Sequence, residues 1–538
     1  MRSSPSRPRR LLPALPPRAL LGALLGAVAL LSACGGSGGD AGADPAKAVP
    51  AKASLYVVAT VRPEGTQKAN AERVAQALLD TADPGGTIAR ALEHSPDGPD
   101  GLDFGKDVEP WLGDRVAIAL PPASAASGKP APEALVVVAS RDNGRARDAL
   151  ARSKELPESG EHRGIELRRS KRGDSAGAVI EDESLVVFGS LDAVRQAIDA
   201  VEDGRVLEDS ESFERAQDRV PDEGIAHGYA DVGGLVAGAA RAGGRQDVVQ
   251  LLRSLAGEGA QTVAFALTAD VDGLRLRSTA TGGPRGDGDA QAQAGAADAL
   301  AALPAGAWLG MAAGDVGGSV EQALAQAAGG SGLGKVGVDA LLAQLRAATG
   351  LDLRRDLLSW MGNGAIFLEG TGLGDLGGGL VVDAERPARM RAAVHRLERV
   401  LPRLVKGSSV RRLAISGVDR GLSISGGDLP VRLYLAATGD RFVLAVGKRA
   451  LRSALKTDGR LGDSAGFESI APRLGDGQRP SLYVDLGQVA DLIENLGAGD
   501  PEAARTARVL RRMTQATGGG GRRGDARSQT LVVGVRGS

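Results

Sequence analysis

Apolar residues in this chain come in short runs broken by Gly, Pro, Asp and Asn. Leu55 to Val61 is rich in β-branched residues and predicts a strand. Lys68 to Asp80 sets Val74 and Leu78 on one helical face. Gly105 to Leu112 reads as a short helix, and Arg115 to Leu120 as a strand. Ala134 to Ser140 (ALVVVAS) is apolar at almost every position, the mark of a strand buried on both faces. A helix from Asn143 to Lys154 follows. Then come strands near Gly164 to Arg169, Gly177 to Glu181 and Ser184 to Gly189, a helix over Leu191 to Val201, and a strand over Ile225 to Val232. A helix near Asp247 to Ala256 leads to a hairpin, Thr262 to Ala269 and Leu274 to Thr279, turned by Asp272-Gly273.

The same order returns further on. Gly101-Leu102-Asp103, Asp107, Trp111 and Gly113 match Gly350-Leu351-Asp352, Asp356, Trp360 and Gly362 at a constant offset of 249. Asp209-Ser210, Phe213-Glu214 and Tyr229 match Asp463-Ser464, Phe467-Glu468 and Tyr483 at an offset of 254. Such ordered anchors indicate duplication. Pro387 opens a helix running to about Val400 in the second copy, where its missing N–H costs nothing. Adjacent hairpins rather than strict strand–helix alternation predict an α+β fold, with two tandem homologous domains. Each is a largely antiparallel sheet packed with helices.

The N-terminus follows a different pattern. Arg2, Arg7, Arg9 and Arg10 precede the apolar stretch Ala19 to Leu31, which ends in Leu31-Ser32-Ala33-Cys34. This is the order of a secretory signal, and the tetrapeptide looks like a bacterial lipobox. Ala19 to Ala33 is shorter than the roughly 20 residues of a membrane-spanning helix. The expected layout is a lipoprotein signal peptide (1–33), a flexible tether (34–48), α+β repeat 1 (49–280), a Gly-rich linker (281–297) and α+β repeat 2 (298–538). Pro121 to Pro132 and Gly518 to Arg527 read as mobile loops. Cys34 is the only cysteine, so no internal disulfide is available, and acylation at Cys34 is the one covalent chemistry the sequence names.

Composition narrows the partners. Net charge is -1 with 24% charged residues, so no strongly basic domain invites nucleic acid. Aromatics are 3%, too few for stacking platforms. The expected partner is the membrane, through the lipid on Cys34.

Motifs of other chemistries fail on context. Gly329 to Val336 nearly spells a P-loop, but Val336 stands where Ser or Thr must hold Mg²⁺. Gly372-Leu373-Gly374-Asp375-Leu376-Gly377 matches G-x-G-x-x-G, but a strand follows it where the pyrophosphate needs a helix. His94, His162, His227 and His395 have no metal-ligand spacing. Ser37, Ser175 and Ser464 sit in Gly-x-Ser-x-Gly without a strand–helix elbow. Asp103, Asp231, Asp352 and Asp485 are placed to cap helices, and Trp111 and Trp360 to anchor cores. Arg285-Gly286-Asp287 and Arg523-Gly524-Asp525 are cheap matches in a chain rich in all three residues. No cofactor, metal or catalytic residue is expected.

Val49-Pro50-Ala51, Leu55-Tyr56, Val61-Arg62-Pro63-Glu64-Gly65, Trp111-Leu112-Gly113-Asp114 and the strand–helix Ser184 to Val201 carry a resemblance. They resemble domain-of-unknown-function family 3352, a family of bacterial envelope proteins. The second copy departs from these motifs: Met361 replaces Leu112, and Arg-Pro-Glu-Gly is absent. The resemblance implies an exported or anchored α+β protein and brings no site residue with it. The expectation is therefore a lipid-anchored envelope protein on the outer face of the cytoplasmic membrane, serving as a binding or structural module rather than an enzyme. The alternatives are a hydrophobic-ligand or lipid carrier, or an enzyme of unrecognised class.

Overall fold

The computed structural model describes residues 43–83, 87, 104–122, 133–241, 260–282, 289–330, 334–372, 374–404, 407–426, 429, 431–456, 458–523 and 526–537. The chain divides into two compact units: residues 1–256 with 262–269, and residues 257–261 with 270–538. Both mix helices with antiparallel strands, as an α+β chain should.

In the first unit the strands are β1 (Leu55–Thr60), β2 (Leu112–Leu120), β3 (Leu135–Ser140), β4 (Glu158–His162), β5 (Ile165–Arg169), β6 (Ala176–Ile180), β7 (Leu185–Gly189), β8 (Ala226–Asp231) and β9 (Thr262–Asp270). They pair antiparallel in the order β4-β5-β6-β7-β3-β2-β1-β8-β9. The run ALVVVAS forms β3 and is buried on both sides. Leu135, Val137 and Ala139 join a core with Tyr56, Ile180, Leu185 and Ile198. Val138 faces the opposite core with Trp111, Leu150 and Val186. That two-sided burial is why no polar alternation interrupts the run.

Local chemistry starts and stops the helices. Helix α1 is Gly65–Leu79, ended by Asp80 in the left-handed region. Helix α2 (Asn143–Arg152) begins where the Asp142 carboxylate accepts from the Arg145 N–H. Helix α3 (Leu191–Glu202) begins where Ser190 Oγ accepts from the Ala193 N–H. It buries Val194, Ala197 and Ile198, spaced for one face. Two short helices follow, α4 (Glu211–Gln217) and α5 (Val232–Arg241).

The second unit contains β10 (Gly273–Thr281), β11 (Ala307–Ala313), β12 (Met361–Glu369), β13 (Gly377–Ala384), β14 (Ser408–Leu413), β15 (Arg420–Gly426), β16 (Leu433–Ala437), β17 (Arg441–Val446), β18 (Arg479–Asp485), β19 (Met513–Arg523) and β20 (Ala526–Val535). Their order is β14-β15-β16-β17-β13-β12-β11-β18-β19-β20-β10, again antiparallel. Its helices are α6 (Asp289–Ala301), α7 (Val316–Gly330), α8 (Gly334–Thr349), α9 (Pro387–Leu404), α10 (Lys448–Leu455), α11 (Ala465–Ile470), α12 (Leu486–Leu496) and α13 (Pro501–Leu510). One sheet face packs Phe367, Val443, Tyr483 and Leu300; the other packs Trp360, Met390, Val394 and Leu435.

Three expectations need correction. Gly518 to Arg527 is not a mobile loop: Gly518 to Arg523 lies in β19, and β20 begins at Ala526. The glycines permit close pairing, since a Cβ at Gly519 would overlap the Arg479 carbonyl oxygen. The tether ends before residue 48, because Pro45–Ala48 forms a 3₁₀ turn in which Ala46 and Ala48 are fully buried. The Asp44 carboxylate caps that turn through the Ala46 N–H and meets Arg115 at 3.0 Å. The stretch expected as linker, 281–297, includes the start of α6. The β10 strand pairs with β20, from Gly273↔Gly534 to Ala280↔Arg527, and falls in the second unit. The expected helix near Asp247 to Ala256 and the loop interior 123–132 lie outside the described residues.

Candidate functional site

Each unit builds one short turn around an Asp-x-x-x-Trp sequence. In the first, Phe104–Val108 forms a single π-helical turn, and the Trp111 indole N–H donates to the Asp107 carbonyl at 2.6 Å. The Asp107 carboxylate faces Arg152, at the end of α2, at 3.2 Å. In the second, Leu353–Leu357 forms the same turn, and the Trp360 indole N–H donates to the Asp356 carbonyl at 3.1 Å. The Asp356 carboxylate meets Arg396 on α9 at 2.6 Å and Arg355 at 3.0 Å, and accepts from the Asp352 N–H at 3.0 Å. Both Trp rings are buried, so their N–H needs this internal acceptor.

Asp356 is 8% exposed. The Arg355 guanidinium, helped by the Asp352 N–H and by Arg396, outweighs burial and lowers its carboxyl to about 2. A carboxylate saturated by two arginines and held that low has no proton to exchange near neutral pH. The arrangement ties α9 to the turn.

Beside this turn, α8 and the start of the Leu353–Leu357 turn enclose a cavity of about 530 Å³. Its walls are Asp339, Leu342, Ala343, Arg346, Ala347, Asp352, Leu353 and Arg354. Arg346 faces Asp352 at 3.5 Å and Arg354 faces Asp339 at 3.9 Å. Those charges are solvated and matched in number, so the cavity presents neither a net field nor a desolvated nucleophile.

Cys34, the one site residue named from the sequence, lies outside the described residues, as do His94, Asp103 and Arg285-Gly286-Asp287. His162 Nε2 lies 2.8 Å from Asp199, His227 Nε2 lies 2.9 Å from the Pro221 carbonyl, and His395 is exposed on α9. Among the described residues no three His, Cys, Asp or Glu side chains gather as metal ligands. Asp352 and Asp485 cap as expected, through the Arg355 and Gln488 N–H groups. Asp231 stands directly before α5. Ser175 lies between β5 and β6, and Ser464 caps α11 after a 3₁₀ turn, so neither is an elbow. Gly372 and Gly377 flank the β12–β13 connection, and Gly329-Gly330 ends α7 instead of following a strand.

Sequence reasoning missed the arginines. Arg152 and Arg396 correspond at an offset of 244, not the 249 that aligns the aspartates, so no single register showed them together. It also missed Asp44, whose carboxylate accepts from the buried Tyr56 hydroxyl at 3.3 Å. Burial, then the charge of Asp44, pushes the Tyr56 hydroxyl well above its ordinary pKa.

Two antiparallel-sheet units, each with an Asp–Trp turn whose carboxylate meets an arginine, define an α+β protein. A family model described as "Protein of unknown function (DUF3352)" matches residues 18–498, and the chain belongs to that family. No curated protein matches it. Among solved structures, crystal form I of TP0453 is similar at 15% identity over 46% of this chain and 82% of that one, with a TM-score of 0.26. Crystal form III is similar at 14% identity over 45% and 81%, with a TM-score of 0.25. Among the described residues no helix is long and apolar enough to cross a membrane.

Proposed function

We propose that this chain is a lipid-anchored cell-envelope protein, held at the outer face of the cytoplasmic membrane by acylated Cys34. Its two homologous domains serve as a binding or structural module rather than an enzyme. The observation that carries the reading is the order of arginines, apolar stretch and Leu31-Ser32-Ala33-Cys34. Homology of the domains is supported by the parallel strand orders and by the paired turns at Trp111 and Trp360. It is supported too by the matched bridges Pro50↔Val206 and Pro304↔Arg460. The non-catalytic reading draws on Asp107 and Asp356, the recurring carboxylates, which face arginines rather than an open cleft.

Metabolic labelling with palmitate tests the anchor. The natural chain takes up label; Cys34→Ala takes up none and keeps its N-terminal segment. Equal labelling of both overturns the reading. The carrier alternative has one observation behind it: Met311 and Ile366 pair across β11 and β12 at 48% and 46% exposure, an apolar spot on one sheet face. Native mass spectrometry showing a lipid that Met311→Asp displaces would favour it.

A further inference from the structure

Two stretches at matching places in the strand orders carry opposite charge. Helix α3 follows β7, and α10 follows β17. Residues 190–223, from the α3 cap to the loop before β8, hold eleven acids against four arginines, a net charge of -7. The matching residues 447–477 hold six Arg and Lys against four acids, a net charge of +2.

The local folds sort these charges onto surfaces. Helix α4 buries Ala216 and turns Glu211, Glu214 and Asp218 outward. Asp209 stands just before it, and Asp222 and Glu223 just after, all exposed. Glu211 pairs with Arg215, and Asp199 and Asp203 pair with Arg163. Among the described residues Asp209, Glu214, Asp218, Asp222 and Glu223 have no cationic partner. Acids crowd at one end of this surface. Burial raises the Glu208 carboxyl above its ordinary pKa, and Asp44, Asp209 and Glu183 add to the rise against Lys47.

Helix α10 presents the converse. It buries Ala450, Leu451 and Ala454, and its exposed side lines up Lys448, Arg452 and, at the C-cap, Lys456 at four-residue spacing. Arg449 faces Asp375 at 3.5 Å. Among the described residues Lys448, Arg452 and Lys456 have no acidic partner. The helix dipole accounts for cations in the last turn but not for Lys448, which opens the helix where positive charge is unfavourable. It accounts equally for Glu214 in the first turn of α4 but not for Asp218 at its C-cap.

A polycation would account for the first surface alone, and an anion for the second alone. A second copy of this chain accounts for both. The whole chain stands at -1, so no net charge holds copies apart.

We propose that the acidic α4 surface of one molecule docks on the basic α10 stripe of a second copy. Exposed ion pairs contribute little each, so the association is weak, salt-sensitive and carried by several pairs together. The inference does not rest on the anchor at Cys34.

The test is sedimentation of the purified full chain in non-ionic detergent, near neutral pH and at rising protein concentration. At about 0.1 M salt, where screening acts over about 10 Å, the mass rises above that of the monomer; at about 1 M, where it acts over about 3 Å, the monomer returns. Association through lipid or an apolar face is not screened in this way. Lys448→Glu with Arg452→Glu and Lys456→Glu lowers the association constant about tenfold or more. Glu214→Lys with Asp218→Lys and Glu223→Lys does the same, and thermal melting of both variants is unchanged. Mixed in equal amounts, the two variants bring a reversed stripe to a reversed surface and associate again. A chain that stays monomeric at low salt overturns the proposal. So does association that salt or either variant leaves intact, or a mixture that stays monomeric. None of these outcomes alters palmitate labelling at Cys34, so the anchor and this contact fail separately.

Discussion

Arg396 meets Asp356 at 2.6 Å, and its counterpart Arg152 meets Asp107 at 3.2 Å, so one helix in each unit is fastened to the turn that carries the buried tryptophan. The two pairs sit in different surroundings. The Asp356 side chain is 6% exposed and that of Asp107 is 17% exposed. Arg396→Met leaves a more deeply buried carboxylate short of a donor. It should destabilise the second unit by about 1–3 kcal/mol, and Arg152→Met should cost less. Urea unfolding of the two variants checks the ranking; equal costs would break it.

The same carboxylate sets an acid limit. Its folded value is lowered to about 2 from the ordinary 3.8, so ionised Asp356 favours the fold. The contribution is whole above pH 4 and is lost as pH falls through about 2. Asp356→Asn should melt lower than the natural chain at pH 5, and the gap should narrow between pH 4 and pH 2. Melting curves across that window decide it, and a gap that widens on acidification contradicts the sign.

Trp360 combines packing with a hydrogen bond to the Asp356 carbonyl. Trp360→Phe keeps most of the packing but removes the donor, for an expected loss of about 1–2 kcal/mol. Trp360→Ala also opens a cavity, for about 3–5 kcal/mol. Denaturant midpoints for the pair separate the two contributions.

Neighbouring glycines of β19 should respond very differently. A Cβ at Gly519 overlaps the Arg479 carbonyl, whereas one at Gly520 comes no nearer than 3.4 Å to Ser528. Gly519→Ala should destabilise by about 1–3 kcal/mol. Gly520→Ala should be near neutral, since it also removes backbone freedom from the unfolded chain. Thermal melting of both variants is sufficient.

What could be read from the sequence follows from where its signals are local. The apolar run of β3, the caps at Asp352 and Asp485, and the buried Trp pair announce themselves within a few residues. Phe213 and Tyr229, like Phe467 and Tyr483, repeat in order, but they stand 16 positions apart, and only the fold brings their rings to 5.4 and 5.7 Å. Strand β4 (ESGEH) is polar because it is an edge with little to bury, and β19 is glycine-rich because its neighbour comes close. Both patterns resemble loops until a partner strand is present. The Asp–Arg fastenings join residues 45 and 40 positions apart, and no periodicity reports such contacts.

The early start of the fold limits reach. Asp44 is fixed by the Ala46 N–H, Tyr56 and Arg115, so it stands only ten positions beyond Cys34. Fully drawn out, ten residues cover about 35 Å. For a chain fastened at Cys34, that radius is the greatest height at which the Pro45–Ala48 turn can stand above the lipid. Going higher would require pulling Ala46 and Ala48 out of the core, so the proposed anchor at Cys34 would hold the first unit on a short leash.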